Sequence, residues 1–343
     1  MPELRSFRKR LNDIPIDGVG ANAPIISTKK YIEINSTLND TTNQNQTMRI
    51  IYCDSGFSPK EVDYMYAAEY KAAKQQFVPT SLISFEALKK GNITAALKRV
   101  KPNDEKGMGI YRGWMLTPNQ YETLYIALLE KNIELINTPS EYKFCHYLPE
   151  SYETIKDFTP KTTFKALTTE FKLEDFQAQI EAFGNGPIVL KDYVKSQKHY
   201  WEEACFIPNA ADKEQVNAVI QKFLELQDSD LNEGLVFREY VALEALTTHT
   251  ASGMPLTKEF RVFVKNGKII SIYKYWDEGD YQNVEPVLET FDAILPKIKS
   301  NFFTMDIAKQ KDGNWIIVEL GDGQVAGLPD NTDRGIFYEA LKK

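Results

Sequence analysis

Phe302-Phe303-Thr304-Met305-Asp306-Ile307, followed across Lys311-Asp312-Gly313-Asn314 by Trp315-Ile316-Ile317-Val318-Glu319-Leu320, decides how this chain is read. Two apolar runs joined through Asp-Gly form the strongest short-range hairpin signal. With Asp312 and Gly313 as a two-residue turn, counting outward sets Asp306 opposite Glu319. Directly opposed side chains of an antiparallel pair lie about 4.5–5.5 Å apart at Cβ, and like charges there repel. The face they share with Phe302, Thr304, Trp315 and Ile317 is partly apolar, so the two carboxylates need a positive partner. A hard divalent cation bound through oxygen satisfies them, and Mg²⁺ is the usual choice where phosphates complete the shell. Two solvated acids, or one acid paired with a lysine, is the competing reading.

Around this hairpin lies a globular chain of 343 residues, 43% of them apolar, enough for two or three packed lobes. A net charge of −7 argues against general affinity for nucleic acid or membrane surfaces, while leaving room for a local basic groove. Cys53, Cys145 and Cys205 are odd in number and widely spaced, which fits reduced thiols in the cytoplasm. His146, His199 and His249 show no zinc-ligand spacing. No run reaches the roughly 20 apolar residues of a membrane span.

Residues 1–47 read as a flexible N-terminal extension, because the polar tract Asn35–Thr47 can bury little surface. The folded unit is expected to start at Met48, with a strand over 48–54, helices over 61–76 and 120–131, and a strand over 133–137. Strands alternating with helices predict an α/β lobe. Further strands are read at 161–168, 186–194, 235–243 and 259–264, with helices at 173–183 and 213–227. Asn266-Gly267 predicts a second hairpin onto 268–273, and a helix is expected over 284–299.

Lys191 ends the apolar run Ile188-Val189-Leu190, where an ammonium without a partner is costly and a phosphate would serve. Lys161 and Lys195 would add charge to the same floor, unless each lysine simply reaches solvent. Arg261 lies within a β run, where its fork suits phosphate or carboxylate, with Glu259 as the ordinary alternative partner. Phe237-Arg238-Glu239-Tyr240-Val241 could join two lobes and read an adenine edge. Tyr111-Arg112-Gly113-Trp114-Met115 is an anion clamp or a buried salt bridge, and the loop 249–255 is a lid or an idle connection.

The order Lys161, Lys191, Phe237–Val241, Arg261 and the Asp306/Glu319 pair resembles the ATP-grasp superfamily, and more closely its clade named for two arginines and a lysine. The resemblance also rests on Tyr111–Met115, Pro187–Ser196 and Val318–Gln324, and it covers Met48 to the C-terminus. It implies an α/β N-terminal (pre-ATP-grasp) domain over 48–150, then an ATP-grasp fold of two α+β lobes, 151–235 and 236–343. It further implies that Lys161, Lys191 and Lys195 face the phosphates of ATP, and that Glu239, Tyr240 and Val241 hold adenine. Arg261 and Lys191 would act on the transferred phosphoryl group, Asp306 and Glu319 would bind Mg²⁺, and Arg112 and Arg238 would hold an acidic substrate. Two departures stand out: Gly321 occupies a position where many members carry asparagine, and Lys195-Ser196-Gln197-Lys198 replaces a glycine-rich phosphate loop.

The expected activity is an ATP- and Mg²⁺-dependent carboxylate–amine ligase that forms an acyl phosphate on an amino acid, peptide or protein and passes it to an amine acceptor. The alternatives are a phosphotransferase that stops at the phosphorylated product and a non-catalytic ATP-binding signalling module. A nucleotidyl-transferring nucleic-acid ligase is disfavoured, because Lys191-Asp192-Tyr193 lacks the glycine of Lys-x-Asp-Gly.

Overall fold

The computed structural model describes residues 48–168, 170–250, 253–330 and 332–343. The extension expected over 1–47 lies outside them, as do Ala251 and Ser252 of the loop read as a lid. The apolar run Met48–Cys53 forms β1, flanked in parallel by β2 (Thr80–Ile83) and β3 (Gly107–Arg112), with β4 (Ile133–Leu135) outside β3. Parallel neighbours require crossovers, and helices such as Ala67–Gln75 and Pro118–Leu129 supply them. Thr117-Pro118 and Thr138-Pro139, with Gln120 and Glu141 closing capping boxes, start the helices Pro118–Leu129 and Pro139–His146. The second of these carries His146 to the edge of the site described below.

The next sheet is antiparallel, in the order β5 (Thr162–Ala166), β8 (Gly234–Glu239), β6 (Ile188–Asp192), β7 (Phe206–Ile207). The helix Lys213–Gln227 lies on it, burying Val219 and Phe223 in one core with Leu190 and Phe237. β8 runs unbroken through position 235, where the sequence reading divides the lobes, and ends at Glu239. β9 (Ala245–Thr248) and β10 (Pro255–Thr257) then form a small ribbon.

The last sheet has the order β12 (Lys268–Lys274), β11 (Glu259–Lys265), β13 (Phe302–Lys309), β14 (Trp315–Asp322), antiparallel throughout. Asn266 and Gly267 turn β11 into β12 with φ of 50° and 72°, the paired left-handed values of a two-residue hairpin. The Asp-Gly hairpin differs in detail from its prediction. Its loop has three residues, with Gly313 N–H donating to the Gln310 carbonyl and Gly313 at φ 96°. That geometry alone would shift the arms by one residue, but a bulge at Val318 restores the register, and Asp306 faces Glu319 as the sequence predicts.

The helix expected over 284–299 is absent: that stretch forms only short 3₁₀ turns at Leu288–Phe291 and Leu295–Lys297. Pro286 and Pro296 remove two backbone donors from it and clash with a continuous helix. The C-terminal helix Arg334–Lys342 returns to the first domain, where Phe337, Tyr338 and Leu341 join Tyr52, Ala73, Phe263 and Phe302 in one buried core.

Candidate functional site

β11, β13 and β14 set Arg261, Asp306 and Glu319 side by side across the sheet. Arg261 grips Asp306 through Nε at 2.9 Å and Nη2 at 2.8 Å, while Nη1 donates to the Gly327 carbonyl at 3.1 Å. From the facing sheet, Lys191 at the end of β6 donates to Glu319 at 3.0 Å. The opposed carboxylates are thus neutralised from both flanks. Burial pushes the Glu319 carboxyl up, but Lys191, Lys198 and Arg261 outweigh it and hold the group down at about 2. Burial raises Asp306 despite its arginine.

Two cavities meet at this charge row. The larger, about 390 Å³, lies within the ~300–1,000 Å³ range of small-molecule sites. Its apolar walls come from Val189, Trp201, Met254, Leu256, Ile316 and Val318, and residues Arg238–Leu243 line one side. The smaller, about 100 Å³, is bounded by Met115 of the first domain, His146, Tyr193, Arg261, Thr304 and Asp306. Lys191 and Glu319 line both.

Residues 181–341 match the ATP-grasp domain model for family 3 of the clade named for two arginines and a lysine. This chain carries an ATP-grasp domain of that clade. Similar solved structures extend the fold over most of the chain. One is the RimK domain protein ATP-grasp from Sphaerobacter thermophilus, 13% identical over 85% of this chain and 98% of that one, with a TM-score of 0.54. Another is D-alanyl-alanine synthetase A from Vibrio cholerae, 12% identical over 86% and 96% of the two chains, with a TM-score of 0.53. A third is the ATP-grasp ligase PsnB in complex with precursor peptide PsnA2 and AMPPNP, 10% identical over 88% and 98%, with a TM-score of 0.51. No curated protein sequence matches the chain.

Of the residues singled out in the sequence, the ATP-grasp fold brings Lys191, Arg261, Asp306 and Glu319 together and places Glu239, Tyr240 and Val241 on the larger cavity. Lys161 and Lys195 line neither cavity. The Lys161 ammonium donates to the Ala182 carbonyl and lies over the Phe183 ring, while Lys195 sits on a turn whose backbone is pinned by the Asp192 carboxylate. Neither contact is one the sequence could display. Lys198 lines the larger cavity, 4.9 Å from the Trp276 ring and close enough to lower Glu319, and nothing in the run Lys195–Lys198 distinguishes it from its neighbours.

The two arginines expected to hold an acidic substrate are structural. Arg112 is fully buried, bonded to both Glu69 oxygens at 2.9 and 2.8 Å and to the carbonyls of Gly323 and Ala326 at 2.7 and 2.8 Å. Its fork is committed to the protein itself. Arg238 borders the larger cavity, but its guanidinium donates to the Val318 carbonyl at 2.6 Å and to Thr159 at 2.8 Å, bracing the bulge from the facing sheet. Burial pushes it down to about 10.

The missing asparagine at Gly321 has a local reason. A Cβ built there would lie 2.7 Å from the Thr304 hydroxyl, which fills the place opposite Gly321 and lines the smaller cavity. Asp322 offers no substitute ligand, since its oxygens accept from Asn137 at 2.6 Å and from the Gln324 backbone at 2.9 Å. Among the described residues no cluster of three metal-ligating side chains exists. Two opposed carboxylates with a neighbouring hydroxyl nevertheless suit Mg²⁺, which commonly takes one or two carboxylates and lets substrate phosphates complete its shell.

Proposed function

We propose that the protein is an ATP- and Mg²⁺-dependent ligase joining a carboxylate to an amine on an amino acid, peptide or protein. One observation carries this reading: a nucleotide-sized apolar cavity and a smaller one bordered by Arg261 and Asp306 adjoin, with Lys191 and Glu319 shared between them. Val189 and Leu256 on its walls and Glu239–Val241 along one side would hold adenine in the larger cavity, and Lys191, Lys198 and Arg261 would meet the phosphates. Asp306 and Glu319 would hold Mg²⁺, which supplies charge neutralisation for the transferring phosphoryl group when bound.

In this reading the carboxylate substrate enters from the smaller cavity and attacks the γ-phosphorus. Arg261 and Lys191 stabilise the equatorial oxygens at the moment charge spreads over them, since positioning and electrostatics dominate phosphoryl transfer. An amine then displaces phosphate from the acyl phosphate. The similarity to PsnB, solved in complex with a precursor peptide, and to D-alanyl-alanine synthetase supports amino-acid or peptide substrates.

Incubation with ATP, Mg²⁺ and pooled amino acids and peptides, followed by ADP release and mass analysis, tests the proposal. New amide masses matching the pooled compounds, with equimolar ADP, are expected. ADP release that never depends on an amine, with a phosphorylated product accumulating, would replace the ligase by a phosphotransferase.

A further inference from the structure

The smaller cavity holds one side chain that phosphoryl transfer leaves unused. His146 ends the helix Pro139–His146 and is 8% exposed. The rings of Tyr142 and Tyr147, with centroids 5.1 and 5.7 Å away, hold its plane. Its nitrogens make no hydrogen bond among the described residues, and they are not among the polar atoms sealed inside the protein. Its ring nitrogens therefore keep some exposed surface, and the side chain lines the smaller cavity.

We propose that His146 accepts the proton lost by the amine when it attacks the acyl phosphate, so that the smaller cavity, from which the carboxylate has already entered and been phosphorylated, then receives the amine acceptor. This rests on the carboxylate–amine ligase reading above. Every other carboxylate lining that cavity is committed: Asp306 to Arg261, Glu319 to Lys191, and Asp322 to Asn137 and Gln324. The Thr304 hydroxyl is too weak a base. The groups whose charge reaches the imidazole are Glu319 on β14, Lys191 on β6 and Lys195 on the turn beyond it. Burial outweighs them and pushes the imidazole down to about 4, so it presents a lone pair at neutral pH.

The step balances. The amine lone pair forms the C–N bond at the acyl carbon, and the C–O bond to the phosphate oxygen breaks with its electron pair leaving on inorganic phosphate. Attack makes the nitrogen cationic and strongly acidic. Its proton passes to the ring nitrogen of His146 and then to water.

Hydroxylamine separates this role from the first step, because it is a potent nucleophile that is neutral near pH 7 and traps acyl phosphates without a base. The intact protein and its His146→Gln and His146→Asn variants are given ATP, Mg²⁺ and the pooled amino acids and peptides, with or without hydroxylamine. Hydroxamate is read by its ferric complex and amide product by mass. Both variants are expected to form hydroxamate within about threefold of wild type while amide formation falls about 100-fold or more, the usual lower range for a lost general base. Added imidazole should restore part of the amide in His146→Ala. Undiminished amide formation in both variants would overturn the proposal, as would an equal loss of hydroxamate and amide with unfolding midpoints unchanged. If wild type yields no hydroxamate from any pool, the ligase reading itself falls.

Discussion

At the residue scale, the site is an alternating charge row in which Arg261 and Lys191 occupy the carboxylates that would otherwise face each other bare. A buried charge whose partner is deleted is strongly destabilising, so the row is stable only while each carboxylate has a cation beside it. Arriving phosphates and Mg²⁺ would redistribute the same charges, with the basic side chains turning to phosphate and the acids to metal. Asp306→Asn is therefore expected to cut ADP formation about 100-fold or more and to raise the Mg²⁺ concentration needed for half-maximal rate. Undiminished ADP formation in that variant would remove Asp306 from the metal site, whereas no ADP formation even by wild type would favour a signalling module over an enzyme. A second expectation concerns His146, whose ordinary value of 6.5 falls to about 4 in the fold. Between those values the unfolded chain binds the proton and the folded one does not, so stability falls as pH drops from about 6.5 toward about 4. The difference amounts to about 3 kcal/mol if fully expressed. Urea unfolding of wild type and His146→Gln across this window should show the wild-type slope flattened in the variant.

At the element scale, the hairpin shows how a correct pairing can survive an incorrect turn. Asp-Gly identifies the reversal, but whether its loop has two or three residues depends on contacts remote in sequence. The Ile317 N–H donates to the Phe158 carbonyl at 2.7 Å, the Ile317 carbonyl accepts from Thr159 at 2.7 Å, and Arg238 takes the Val318 carbonyl. These bonds pin the bulge that returns Asp306 to Glu319. Gly313→Ala, forced to φ 96°, is expected to cost about 1 kcal/mol without loss of activity. Arg238→Ala should cost about 3 kcal/mol, because it orphans a buried carbonyl and loses a charged donor. Thermal unfolding and ATP turnover of the two variants check both. What the sequence displays at this scale is periodicity, turn chemistry and the order of charged residues, which suffice for the strands, the Asn266-Gly267 turn and the core of the charge row. Between 284 and 299 the two prolines outweigh the helical composition around them, a signal the sequence does carry. Arg112 and Arg238 could not be told from ligand-binding arginines, because their partners Glu69, Gly323, Ala326 and Val318 reach them only through the tertiary fold. His146 escapes for the same reason: its cavity is assembled from a helix end, β6, β13, β14 and the first domain.

At the scale of the whole molecule, the first domain and the sheet that carries Asp306 and Glu319 are tied into one body by groups that look functional in isolation. Arg112 bridges Glu69 on the helix Ala67–Gln75 to the segment after β14, while Asn137 joins Asp322 to the Phe302 carbonyl. The C-terminal helix closes the same seam, with Tyr338 donating to Glu69 at 2.8 Å and sharing a hydrogen bond of 2.7 Å with Tyr52. That seam forms one wall of the smaller cavity, through Met115 on one side and Val325 and Ala326 on the other. Rigidity there bears directly on acceptor geometry, since a misplacement of about 1 Å costs an enzyme on the order of 100-fold in rate. Arg112→Ala leaves Glu69 buried and unpaired and should cost about 3–5 kcal/mol of stability. Because Arg112 touches the seam and neither cavity, the variant's KM for ATP should match wild type at temperatures where it stays folded, while its rate of amide formation falls. Chemical denaturation measures the first and steady-state kinetics the second, and a raised KM for the carboxylate substrate with unchanged stability would return Arg112 to the substrate-holding role expected from the sequence.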